Sequence, residues 1–356
     1  MKLGLGLYRR MLTRQNYRFV RQCGATHVII HMVDYFNQGA TDPQTHAIGP
    51  EGIWGYAGDP DKLWSYDELA ALRADINAEG LELLGVENLD PAHWHDILLG
   101  GPKKRQQLEN VKAMIRTLGR VGIPVLGYNF AIPGVASRVR GPFARGGAVS
   151  VGMDGADQTP LPNGTVWNMV YDRAAPAGTL PPSTPDEVWQ RLADFLDEVI
   201  PVAEEAGVKL AAHPDDPPVP VLRSQPRLVY QPRLFQKLLD LKPSPANALQ
   251  FCVGTLAEMT ESGVYEAVDR YSRQGNLGYV HLRNVRGKAP HYQETFIDEG
   301  DVDIRRVLEI LKRNHYDGVI FPDHTPRMDC EAPWHAGMAY ALGYLRATLQ
   351  ELQAIT

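Results

Sequence analysis

A chain of 356 residues, 44% hydrophobic and 22% charged, has the composition of a folded globular protein with a sizeable core, which excludes wholesale disorder. Its net charge of -6, and the lack of any apolar run near the roughly 20 residues of a membrane span, argue against nucleic acid or a bilayer as the main partner. Cys23, Cys252 and Cys330 form an odd set rather than a disulfide framework, and the N-terminal segment lacks a leader-like apolar region, so the chain reads as a reduced, cytoplasmic protein.

Strand-like and helix-like stretches alternate along the chain. Leu3–Leu7 reads as a first strand, and Thr13–Gln22 as a helix closed by Gly24. Thr26–His31 is a β-branched second strand. A long loop, about 32–63, separates it from a helix that Ser65 caps, with Glu68 at the capping-box position. Leu81–Glu87 is a third strand, Pro102–Val121 a helix, and Gly122–Asn129 a fourth strand, with Pro124 tolerable near its start.

Residues from about 130 to 182 read as an irregular insertion, of the kind that serves as a lid, a partner arm or a disordered segment. Thr184 and Pro185 then open a helix that reaches Gly207. Strands ending at His213, Cys252, His281 and Asp323 follow, with helices near Pro232–Leu241, Thr255–Ser272, Val302–Asn314 and His335–Glu351. Eight strands each followed by a helix predict one domain, a (β/α)8 TIM barrel with long βα-loop insertions. The rival, an open doubly wound sheet, lacks a Gly-x-Gly-x-x-Gly after a strand.

The chemistry is concentrated where apolar strands end. Val208–His213, Ala248–Cys252, Leu277–His281 and Gly318–Asp323 each deliver one possible metal ligand, 39, 29 and 42 residues apart (213 to 252, 252 to 281, 281 to 323). Those gaps suit one βα unit each, and barrel sites lie at the C-terminal ends of the strands. Imidazole, thiolate and carboxylate together suit a divalent first-row ion, with Mn²⁺, Fe²⁺ and Zn²⁺ all compatible. Singly, a strand-end cysteine is also a small buried hydrophobe, so the argument rests on the shared placement.

His324, beside Asp323, is placed to act as a general acid or base. In His213-Pro-Asp-Asp-Pro-Pro218, Asp215 or Asp216 can orient His213 or contact a substrate hydroxyl, or the segment is simply a rigid turn. Arg283 shares a strand face with His281 and is either a clamp for a substrate carboxylate or a rim ion pair. His31, Glu87, His95 and Asn129 also fall at or after strand ends, and Trp54, Tyr56 and Trp64 are aromatics that can cover a sugar ring.

Together His-Pro-Asp-Asp-Pro-Pro (213–218), Phe-Cys-Val-Gly-Thr (251–255), His-x-Arg-Asn-Val (281–285) and Pro-Asp-His (322–324) resemble mannonate dehydratase. Trp94-His-Asp-Ile97, Glu109-Asn-Val-Lys112 and Gly127-Tyr-Asn129 extend the likeness over nearly the whole chain. The resemblance implies a xylose-isomerase-like barrel and an ion, Mn²⁺ first, held by His213, Cys252, His281 and Asp323. It implies conversion of D-mannonate to 2-keto-3-deoxy-D-gluconate, substrate contacts from Arg283, Asn129 and Asp216, and a homo-oligomer, dimer or tetramer. Where that family follows Pro-Asp-His with glycine, this chain has Thr325. Its later Gly-Tyr pair reads Gly337-Met338 here, so the tyrosine that would join His324 in catalysis is Tyr340 or has no counterpart. A sugar isomerase or epimerase, another sugar lyase, or a non-catalytic sugar-binding barrel are the competing expectations.

Overall fold

The computed structural model describes residues 1–354 apart from Phe36, 38–52 and Ser262, so much of the predicted 32–63 loop lies outside the described residues. Eight parallel strands close into a barrel: β1 (Lys2–Leu7), β2 (His27–Ile30), β3 (Glu82–Glu87), β4 (Val125–Tyr128), β5 (Lys209–Ala212), β6 (Asn247–Cys252), β7 (Leu277–Leu282) and β8 (Val319–Pro322). Each pairs with its sequence neighbours, and β1 closes the ring on β8 with Lys2 opposite Val319. All eight are the strands expected from the sequence, shifted by at most a few residues at their ends.

The alternation of side chains across each strand explains both the core and the site. One parity faces outward: Val28, Ile30, Leu249, Phe251, Val280, Leu282 and Ile320 pack under the helices. The other fills the barrel interior with Ile29, Val125, Ala211, Tyr279, Val319 and Phe321. One step of two beyond that inner layer come His31, Asn129, His213, His281 and Asp323, which share the mouth of the barrel. Gly127 belongs to this inner parity, and a Cβ there would lie 2.3 Å from the Tyr279 hydroxyl, which donates to Glu87 at 3.2 Å.

Eight helices follow the strands in turn: α1 (Arg14–Gln22), α2 (Tyr66–Ala78), α3 (Lys104–Val121), α4 (Pro185–Ala206), α5 (Leu234–Leu241), α6 (Val264–Gln274), α7 (Ile304–Arg313) and α8 (Pro333–Ala354). Thr184 and Glu187 form a reciprocal capping box on α4. On α2, Ser65 accepts the Glu68 N–H, while the Glu68 carboxylate lies 3.7 Å from Arg9. The helix expected over Thr255–Ser272 is two: Val253–Glu258, capped by the Cys252 sulfur, and α6, separated at Gly263, whose φ is +113°.

The 130–182 insertion is not irregular as expected. Arg138–Ala144 and Ala148–Asp154 form an antiparallel hairpin. A second hairpin, Asn284–Lys288 with His291–Thr295, extends beyond β7 and adds to it, giving a four-stranded sheet over the barrel mouth. Ala136, Met153, Val219, Leu222, Ala289 and Tyr292 form its own apolar cluster. The partner hairpin lies 130 residues further along the chain, which a local reading of the insertion does not register.

Candidate metal centre and active site

Donor atoms of His213, Cys252 and His281 converge to within 4.8 Å of one another at the ends of β5, β6 and β7. The Nδ1 of His213 donates to the Pro214 carbonyl at 2.6 Å, which leaves Nε2 as its lone-pair nitrogen. His281 Nδ1 is buried without a hydrogen-bond partner, while its Nε2 lies 3.5 Å from Glu87. Burial opposes ionisation of the Cys252 thiol, but the Arg283 charge and hydrogen bonds with His213 and His281 bring it down to about 5, so it is a thiolate at neutral pH.

Asp323, from the end of β8, sits 3.7 Å from His281 Nδ1. Burial disfavours its charge, yet His324, His281 and Arg283 hold its carboxyl well below the usual range. A thiolate, two neutral-capable imidazoles and a carboxylate, one imidazole nitrogen buried and unsatisfied, form a donor set that fits a divalent ion.

His324 lies beside this cluster, its Nε2 3.6 Å from Asp323 and its Nδ1 3.0 Å from both carboxylate oxygens of Glu294. Burial raises the Glu294 carboxyl, but His324, Arg283 and Arg138 more than offset it, so Glu294 is ionised; Arg283 Nη1 lies 2.9 Å from the same His324 Nδ1, and the two groups together fix that side of the ring. A carboxylate that fixes one ring nitrogen presents the other as a proton donor or acceptor.

His213, His281, Asp323 and His324 line one cleft of about 580 Å³, counting its open mouth, together with Glu87, Asn129 and Asp216. Asp216 Oδ2 accepts from Arg283 at 2.8 Å and from Thr255 at 3.3 Å, while its buried Oδ1 has no partner. Asp215 does something else: it accepts the Leu228 and Val229 N–H groups and pairs with Arg227, tying the loop after β5.

A sequence model described as D-mannonate dehydratase (UxuA) matches residues 16–143 and 184–355, well over half of the chain. The chain belongs to the D-mannonate dehydratase family. Among relatives, the mannonate dehydratase of Streptococcus pneumoniae (strain 70585) is 30% identical over 283 residues, covering 75% of this chain and 76% of the relative. That of Lactococcus lactis subsp. cremoris (strain MG1363) is 29% identical, covering 78% and 83%. The crystal structure of mannonate dehydratase from Streptococcus suis serotype 2 superposes with a TM-score of 0.73 at 23% identity, covering 98% of this chain and 93% of that one. A D-psicose 3-epimerase from Clostridium cellulolyticum H10 shares the fold, with a TM-score of 0.60 at 12% identity, covering 98% and 99%.

In this D-mannonate dehydratase family member, the structure places two of the expected site residues apart from the cleft lining. Arg283 does not line the cleft. β7 ends at Leu282, and the guanidinium turns against Gly254, where a Cβ would lie 2.4 Å from its Nε. There it is 1% exposed and shared among Asp216, Glu258, Glu294 and Asp323 at 2.8, 2.9, 3.2 and 3.3 Å.

Tyr340 also stands outside the cleft. It packs on Phe296, and its hydroxyl accepts from Arg145 at 3.1 Å. Met338 is buried in the core beneath α8. His95 stacks on Tyr171 away from the site, and Tyr56 and Trp64 line a separate groove.

The cleft also holds residues that sequence reasoning passed over: Tyr8, Tyr35, Asn88, Arg138 and Trp167 line it, and Glu294 supports His324. Tyr8 was accessible in principle, since it continues the inner parity of Gly4 and Gly6 by one step beyond β1. It stacks on His31 at 4.9 Å, and burial, then Asp323, keep its phenol protonated. Arg138 and Glu294 carry no local signal, because their positions depend on the pairing of two distant hairpins.

Proposed function

We propose that this protein is a metal-dependent hydro-lyase that removes water from D-mannonate to give 2-keto-3-deoxy-D-gluconate. The observation that carries the reading is the convergence of His213, Cys252 and His281 on successive strand ends, with Asp323 and the Glu294-supported His324 in the same cleft. The names of the family and of the curated relatives support the choice of substrate.

His213, Cys252, His281 and Asp323 would hold the ion, for which we assign Mn²⁺, with Fe²⁺ and Zn²⁺ suited to the same donors. Bound there, it would supply Lewis acidity that polarises the α-hydroxy acid and acidifies its C2 proton. Elimination breaks the C2–H and C3–O bonds and forms an enol that becomes the 2-keto acid. His324 exchanges a proton through Nε2 with the leaving C3 hydroxyl or with C2, while Glu294 and Arg283 at Nδ1 keep the ring in place. Asp216 and Asn129 line the cleft, and we assign them contacts with substrate hydroxyls.

Tyr8 and Tyr35 are the phenols among the cleft's lining residues, and burial keeps both protonated. The setting we propose is the cytoplasm, as a homo-oligomer. Among the described residues, no helix is long and apolar enough to cross a membrane.

The test is incubation of the Mn²⁺-loaded protein with D-mannonate, with products resolved by mass. A 2-keto-3-deoxy acid lighter by one water supports the hydro-lyase. A product of unchanged mass would replace it with an isomerase or epimerase of the same fold.

A further inference from the structure

The insertion sheet brings one cation into the cleft with hydrogen-bonding capacity unused. Arg138 opens the strand Arg138–Ala144 and is 9% exposed. It lines the cleft alongside His213, Asp216, His281, Asp323 and His324. Its Nη2 lies 3.7 Å from Asp216 and 4.0 Å from Glu294, ion-pair contacts too long for hydrogen bonds. Nε and Nη1 are buried with no partner. Both planar edges of the guanidinium, Nε with Nη2 and Nη1 with Nη2, therefore have donors to give. Buried donors left unmade are costly, and they mark places where a ligand completes the network. Arg283, by contrast, has Nη1 and Nη2 engaged by carboxylates, and its one unpartnered nitrogen, Nε, lies against Gly254 rather than in the cleft lining.

We propose that Arg138 binds the carboxylate of the substrate, and that the insertion hairpin is the part of this barrel that selects sugar acids over neutral sugars. This rests on the hexonate reading above. A planar fork of N–H donors matches a carboxylate in two parallel charge-assisted bonds, which a hydroxymethyl or amide group cannot reproduce. Asp216 and Glu294 keep the guanidinium charged despite its burial and set its orientation without occupying its donors. Trp167, from the same insertion, closes the adjacent wall of the cleft.

Calorimetry on the Mn²⁺-loaded protein, with every form (the wild type at 138 included) carrying His324→Asn so that turnover of D-mannonate is slowed, tests this with two probes of nearly equal shape, D-mannonate and D-mannonamide. The wild type is expected to bind the acid about 10- to 100-fold more tightly than the amide. In Arg138→Gln that ratio falls about tenfold or more, with amide affinity and metal content unchanged. Arg138→Lys retains the charge but not the fork and gives an intermediate ratio; it decides the matter if the glutamine variant does not fold. An unchanged ratio in either folded variant, or a wild type that does not prefer the acid, overturns the proposal. Because the readout is equilibrium binding, failure to find a dehydrated product would remove the hydro-lyase reading while leaving this ratio measurable.

Discussion

His324 is held at Nδ1 by Glu294 and Arg283, and the expected consequence of Asn at 324 follows from what is lost: the imidazole assigned to proton transfer, but no proposed metal donor. His324→Asn should lower kcat by about 10²- to 10⁴-fold with bound metal unchanged, read by steady-state kinetics and metal analysis on the same preparation. Glu294→Gln keeps the hydrogen-bonding shape and loses the charge that fixes the ring, so a smaller loss, about 10- to 100-fold, is expected.

Arg283→Met is a different case, because it leaves Asp216, Glu258 and Glu294 buried around a missing cation. Breaking a buried ionic cluster from one side costs about 3–5 kcal/mol, so this variant should show a large drop in its unfolding midpoint rather than a selective rise in KM. The distinction separates a residue that holds the site together from one that touches substrate. In sequence the two look alike, since Arg283 follows His281 by the period of a strand. What breaks that period is the end of β7 at Leu282, and nothing in the residues 281–285 announces it.

At the level of elements, the barrel was legible because each unit carries its own punctuation. Apolar runs of strand length are bounded by caps such as Thr184 and by glycines such as Gly207 at the left-handed C-cap of α4. Thr184→Ala should shift the denaturant midpoint by an amount equivalent to about 1 kcal/mol, since it removes one half of a formed capping box; an unchanged midpoint would show that α4 is held by packing alone. The candidate metal ligands we propose could be picked out for a related reason: they extend the inner parity of strands whose positions were already fixed. The cleft's other wall was not. Arg138 and Glu294 depend on the register between two hairpins, with Gln293 opposite Gly152 and Tyr292 opposite Met153. Non-local pairing of that kind leaves little trace in either segment alone.

For the molecule as a whole, the donor set links metal, protons and stability. The His281 imidazole resists protonation through burial, but Asp323 and Glu87 outweigh that and raise its pKa well above the ordinary value. Without metal it therefore holds a proton at neutral pH, and that proton must leave before Nδ1 or Nε2 can serve as a ligand. Loading is expected to release protons, and metal affinity should decline as pH falls through the raised His281 value. It should decline further below about 5, where Cys252 takes up a proton. Metal titrations at several pH values in weak buffer check both signs. An ion at 100 times its dissociation constant would stabilise the fold by about 2.7 kcal/mol, so chelation should lower the melting temperature reversibly.

The most direct measurement pairs metal stoichiometry with a 2-keto-3-deoxy acid assay on D-mannonate, both on one preparation reconstituted with Mn²⁺. The account predicts about one ion per chain, held in wild type and His324→Asn alike, with product formed by the wild type. A protein that binds no Mn²⁺, Fe²⁺ or Zn²⁺ after reconstitution, or whose Cys252→Ser variant binds the ion as tightly as the wild type, would contradict it.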